Sequence, residues 1–98
     1  MMINLKSALL LADRIGSYIP DDPGDDMLKF SRQVLDNIID AKDYRAYLES
    51  IELTSGISLD ILQTYDVDVL FQLFCEGMSE NKIMELIKFY EGLKHVAK

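Results

Sequence analysis

The chain has one cysteine, two prolines, five glycines and no long apolar run, and each shortage excludes a class of protein. A single thiol, Cys75, forms no internal disulfide, which excludes a cross-linked secreted scaffold. So little proline and glycine excludes collagen-like and low-complexity chains. A membrane-spanning helix needs roughly 18–20 apolar residues in succession, and the sequence holds no such run. Basic residues are also scarce. Ten Lys and Arg stand against 17 Asp and Glu, a net charge of −7. A binder of phosphate backbones needs a basic footprint, so nucleic acid is not an expected partner. The start of the chain superficially resembles a signal peptide. Its apolar run Ala8-Leu9-Leu10-Leu11-Ala12 stops at Asp13-Arg14, short of the roughly 7–15 residues of such a signal's apolar region. The expectation is a cytoplasmic protein (host-cell cytoplasm if viral) that does not engage a membrane.

What is present is hydrophobic and helically spaced. Of 98 residues, 49% are hydrophobic and 28% charged, a globular composition with room for one core. Leu5, Ala8, Leu9, Ala12, Ile15 and Tyr18-Ile19 line one helix face, widened by Leu10 and Leu11, and Pro20 stops it. Pro20-Asp-Asp-Pro-Gly-Asp-Asp26 reads as a loop whose last carboxylates suit the start of a second helix, about Met27 to Ala41. A third helix begins near Asp43 with Tyr44, Tyr47-Leu48 and Ile51 inward, and Arg45 with Glu49 forms an i,i+4 pair. No Gly or Pro marks the break at 40–43. Gly56 suits a C-terminal stop. Ser58 caps a short helix through Tyr65, and Asp66 or Asp68 caps the next. That helix is apolar at nearly every position, predicting burial on most sides, and Gly77 ends it. Ser79 caps a last helix to about Val96. Brief alternation at 56–62 and 66–70 admits short strands, but isolated strands of that length are marginal. The expected architecture is all-α: residues 1–98 as a single compact domain of five or six short helices.

The charge is uneven. From Asp21 to Asp68 there are twelve acids and four bases, a net −8, and the remainder is +1. Such a one-sided field steers basic partners; equally, it supplies solubility and helix caps. The Asp21, Asp22, Asp25 and Asp26 cluster invites a cation, since hard cations favour carboxylates. An EF-hand is excluded because its third position would be Pro23 and its twelfth Arg32, so no metal is expected.

Catalytic parts are missing. The one histidine, His95, lies three residues from the end, where it suits a helix C-terminus better than acid–base work. Cys75 sits among apolar neighbours with no basic residue close in sequence, the setting of an inert thiol. No glycine-rich phosphate loop, zinc ligand set or nucleophile elbow is present. The expectation is a non-enzyme with no catalytic residues, cofactor or small-molecule substrate.

Leu73-Phe-Cys-Glu-Gly77-Met-Ser79-Glu-Asn-Lys-Ile83 resembles the first helix and turn of helix-turn-helix proteins. The helix that would then read DNA carries Glu80, Asn81, Lys82, Glu85, Lys88 and Glu91, without an arginine, which is poor groove chemistry. The longer stretch Asp68–Ile83, with the size and acidity of the chain, resembles small acidic helical proteins of tailed bacteriophages, including tail-assembly chaperones. That resemblance covers under a quarter of the chain and implies a non-catalytic protein that binds another phage component transiently. It assigns no residue a role.

These readings converge on a protein–protein interaction module: an assembly factor, adaptor or inhibitor that binds another protein or itself as a homodimer. A mean hydropathy of +0.04 is high for so acidic and small a chain. Small domains bury only about 60–65% of their surface, so apolar residues should remain outside as a docking patch. Leu10, Leu11, Met78, Met84, Phe89 and Leu93 are the candidates, with Phe30 beside them, and Asp21, Asp22, Asp25 and Asp26 form the candidate acidic surface. The alternatives are an acidic DNA-mimic inhibitor of a nucleic-acid-binding protein and a helix-turn-helix DNA binder.

Overall fold

A computed structural model describes residues 4–20, 26–80 and 85. They form an all-α fold, with no strand among the described residues. Helix α1 (Leu5–Ile15) runs into a 3₁₀ turn (Gly16–Tyr18). It is followed by α2 (Met27–Asp40), α3 (Tyr44–Ser55), α4 (Leu59–Leu62) and α5 (Val67–Glu80). The central element is α3, which packs against α1, α2, α4 and α5. Both segments with strand-like alternation run into helices, α4 and α5, and of their apolar residues Leu62 alone is fully buried, while Ile61, Val67 and Val69 are exposed.

The helix starts follow capping chemistry. The Asn4 side chain accepts a hydrogen bond from the Ser7 amide at 2.8 Å. Asp26 accepts from the Leu28 and Lys29 amides at 3.0 and 3.2 Å, so it serves as the N-cap of α2. Ser58 occupies the N-cap position of α4 without a side-chain bond. Glu52 reaches over from α3 instead and takes the Leu59 amide at 3.0 Å.

The break at 40–43 is real. Ala41 is the C-cap, Lys42 takes a left-handed conformation (φ 58°), and two bonds close the corner. The Asp43 amide donates to the Ile38 carbonyl at 3.1 Å and the Lys42 amide to the Ile39 carbonyl at 2.9 Å. This is a Schellman motif with lysine where glycine is usual. Gly56 stops α3 as expected, at φ 78°.

Gly77 corrects the expectation. It lies inside α5, and α5 continues past Ser79 to Glu80. Gly77 is buried, and a Cβ there would stand 2.8 Å from Thr54 Cβ on α3. The glycine permits close approach of two helices, a packing role that has nothing to do with chain reversal. The corner expected at Gly77–Ser79, on which the resemblance to helix-turn-helix proteins rests, is therefore absent, since this stretch is continuous helix.

The core comprises Leu11, Ala12, Ile15, Phe30, Val34, Ile38, Ala46, Ile51, Leu62, Phe74 and Met78. Leu11, Met78 and Phe30, expected in an exposed patch, are all fully buried. In α1 the buried stripe is Ala8, Leu11, Ala12 and Ile15, which leaves Leu5 and Leu10 outside. Helix α5 is not buried on most sides. Its inward residues are Phe74, Gly77 and Met78, while Val67 and Val69 in its first turn face solvent. The helix packs by one face, and its N-terminal turn projects an apolar surface. The expected final helix from Ser79, with Met84, Phe89 and Leu93, lies outside the described residues apart from its first positions and the helical Glu85.

Candidate partner-binding groove

Three helices converge on one groove. Helix α2 contributes Arg32, Leu35, Asp36, Ile38 and Ile39, whose three-to-four spacing sets them along one side. Helix α3 contributes Tyr44 and Tyr47 from its first turn, and α5 contributes Val67, Asp68 and Phe71. The groove encloses about 520 Å³, within the usual range for binding sites.

Its lining is mostly apolar, with a polar margin. Ile38 is fully buried. Leu35, Tyr47 and Phe71 are half-buried. Val67, Tyr44 and Ile39 stand 80%, 57% and 46% exposed. Arg32, Asp36 and Asp68 are exposed charges. Tyr47 is held by a tilted ring contact with Phe74, centroids 5.0 Å apart at 56°. Burial pushes the Tyr47 phenol up to about 12, and the neighbouring Cys75 adds to the shift. Tyr47 is therefore a neutral, fixed wall of the groove at physiological pH.

A second constellation lies across α1, the 3₁₀ turn and α3. Arg14 donates from both terminal nitrogens to the two Asp43 carboxylate oxygens at 2.9 Å each, and from Nε to Glu49 at 2.6 Å. The Tyr18 hydroxyl donates to Asp43 at 2.7 Å, and Arg45 Nε donates to the other Glu49 oxygen at 2.8 Å. Asn37 of α2 donates to the Tyr18 carbonyl at 2.8 Å. The Arg14 guanidinium, with help from Tyr18, draws Asp43 down to about 2, and Glu49 is lowered by Arg14. The same bonds raise Arg14 and Tyr18. Both carboxylates are thus fixed as anions and turned toward one cation, an arrangement that fastens elements and offers no poised acid or base.

Other reactive groups are similarly quiet. Burial raises the Cys75 thiol, and Glu76 adds to it, which disfavours the nucleophilic thiolate. The buried Ser31 hydroxyl has no hydrogen-bond partner. It lies near enough to influence Cys75 but makes no bond of acceptable geometry with it. Among the described residues, no three His, Cys, Asp or Glu side chains are grouped to hold a metal. No helix among them is long and apolar enough to cross a membrane.

Of the residues expected to bind a partner, only Leu10 is exposed among those described, and it does not line the groove. Leu11 and Met78 belong to the core, and Met84, Phe89 and Leu93 lie outside the described residues. Asp26 is occupied as a helix cap, and Asp21, Asp22 and Asp25 lie outside. His95 does too. Sequence reasoning missed Ile39, Tyr44 and Val67 by assigning each to a buried stripe. The usable signal was position, since all three stand at or next to a helix end, where fewer neighbours cover them. A scan of protein-family models and searches of curated proteins and of solved structures give no match.

Proposed function

We propose that this chain is a non-catalytic protein–protein interaction module, an assembly factor, adaptor or inhibitor, and that the groove between α2, α3 and α5 is its docking face. The observation that carries this reading is the apolar surface left uncovered there by Ile39, Tyr44 and Val67. Exposed apolar area of this kind on a small acidic chain is costly in water and is relieved by a partner. The margin of Arg32, Asp36 and Asp68 supports it, because docking sites combine an apolar centre with a polar rim. The resemblance to phage tail-assembly chaperones fits a role of this type.

The test is quantitative affinity capture from the source cells with the native chain and with Val67→Glu. Position 67 is largely solvent-exposed, so circular dichroism should be unchanged by the substitution. The reading expects at least one protein retained by the native chain and lost by the variant. Identical retained sets would overturn it.

A further inference from the structure

Resting on that reading, we infer that the groove accepts an amphipathic helix with a basic flank from a different protein, not a second copy of this chain. The first argument is shape. The groove is an open trough walled by α2 and by the first turns of α3 and α5, with apolar residues spaced along it. A helix presents its own apolar side chains at i, i+3, i+4 and i+7, the spacing such a trough receives.

The second argument is charge. Asp36 and Asp68 line the groove against the single Arg32. Two carboxylates against one guanidinium therefore stand beside an apolar centre, on a chain of net charge −7. A partner bearing Lys or Arg beside its apolar stripe gains from this border, and one bearing Glu is repelled. Self-docking across the groove would bring two such borders together on chains that each carry −7, which opposes a homodimer through this face.

The probe is a labelled synthetic peptide of about 16 residues, roughly 24 Å as a helix. It has leucine at the apolar spacing and lysine elsewhere, and its counterpart has glutamate in place of lysine. Each is titrated against the full chain by fluorescence anisotropy at about 0.01 M and about 0.15 M salt, where the Debye length falls from about 30 Å to about 8 Å. Light scattering under the same conditions gives the mass of the free chain.

The expected result is a monomer that binds the lysine peptide at least about tenfold more tightly than the glutamate peptide. That preference should narrow with salt and shrink several-fold in Asp36→Asn/Asp68→Asn. Binding should be lost in Ile39→Ser/Val67→Ser, which removes apolar surface and leaves every charge. If both peptides bind equally and Ile39→Ser/Val67→Ser abolishes both, the basic-partner inference falls while the groove reading stands. If Ile39→Ser/Val67→Ser leaves lysine-peptide binding unchanged, the attachment is general charge attraction and both fall. A dimer that persists at both salts and dissociates in Ile39→Ser/Val67→Ser would make a second copy the occupant and overturn the inference.

Discussion

Arg14 grips Asp43 with both ends of its guanidinium, and the two residues stand 29 positions apart in the chain. The bond ties the end of α1 to the corner between α2 and α3. Lysine offers a point charge in place of this planar fork. Arg14→Lys should therefore lower the melting temperature nearly as far as Arg14→Met does, and a double-mutant cycle with Asp43→Asn should show coupling between the two positions. Additive effects would mean that the fork contributes nothing.

The same contact sets an acid limb. Asp43 titrates near 2 in the folded chain against an ordinary value of 3.8. A depressed carboxylate stabilises the fold above its unfolded value, and that contribution disappears as pH falls toward its folded value. Stability from Asp43 is thus complete above about pH 4 and is lost between about pH 4 and 2. Glu49 is shifted in the same direction. Urea denaturation across this range should show a shallower acid limb in Asp43→Asn than in the native chain.

Two glycines should respond oppositely to alanine. Gly77→Ala forces a methyl against Thr54 and should destabilise by about 1–3 kcal/mol, the usual cost of overpacking. At Gly16 nothing lies within 4 Å, and its backbone is right-handed helical (φ −55°). Gly16→Ala should stabilise by about 0.4–1 kcal/mol by restricting the unfolded chain. Guanidinium titrations of both variants check the signs.

The corner at Lys42 invites a stabilising change. A side chain in the left-handed region costs roughly 1–2 kcal/mol, offset in part by the greater unfolded freedom of glycine. Lys42→Gly should raise stability by about 0.5–1 kcal/mol on these grounds. Gly56→Ala, at φ 78°, should lower it. A loss of stability in Lys42→Gly would mean that the lysine side chain holds the corner in some further way.

Ser31 is buried with an unpaired hydroxyl. Removing a buried polar atom that has no partner costs nothing in hydrogen bonding and can be stabilising. Ser31→Ala should leave the denaturation midpoint unchanged or higher. Phe74→Ala, in the same core, should lose about 3–5 kcal/mol. A clear loss in Ser31→Ala would reveal a bonded hydroxyl.

Local features were the readable ones. Pro20, the Asp26 cap, Gly56 and the three-to-four spacing report on residues a turn away, and they located the helices. The features that failed are tertiary. Gly77 carries the same local signature whether it ends a helix or admits a neighbouring one, and only Thr54, 23 positions earlier, distinguishes the two. Nothing near Arg14 announces Asp43 or Glu49. Leu10 and Leu11 are identical in type and adjacent, yet one is 49% exposed and the other is fully buried. Which of them faces inward depends on where α3 lies, and periodicity in α1 does not contain that information.

The Schellman corner has a consequence for recognition. The carbonyls that close it belong to Ile38 and Ile39, and α3 restarts two residues after Lys42 at Tyr44. One wall of the groove is therefore built from residues only six positions apart, held by bonds that form without any visitor. Such a wall has little disorder to surrender when a ligand arrives. Complex formation there should resemble the seating of a rigid key, with an association rate set by encounter and orientation instead of by slow rearrangement of this chain.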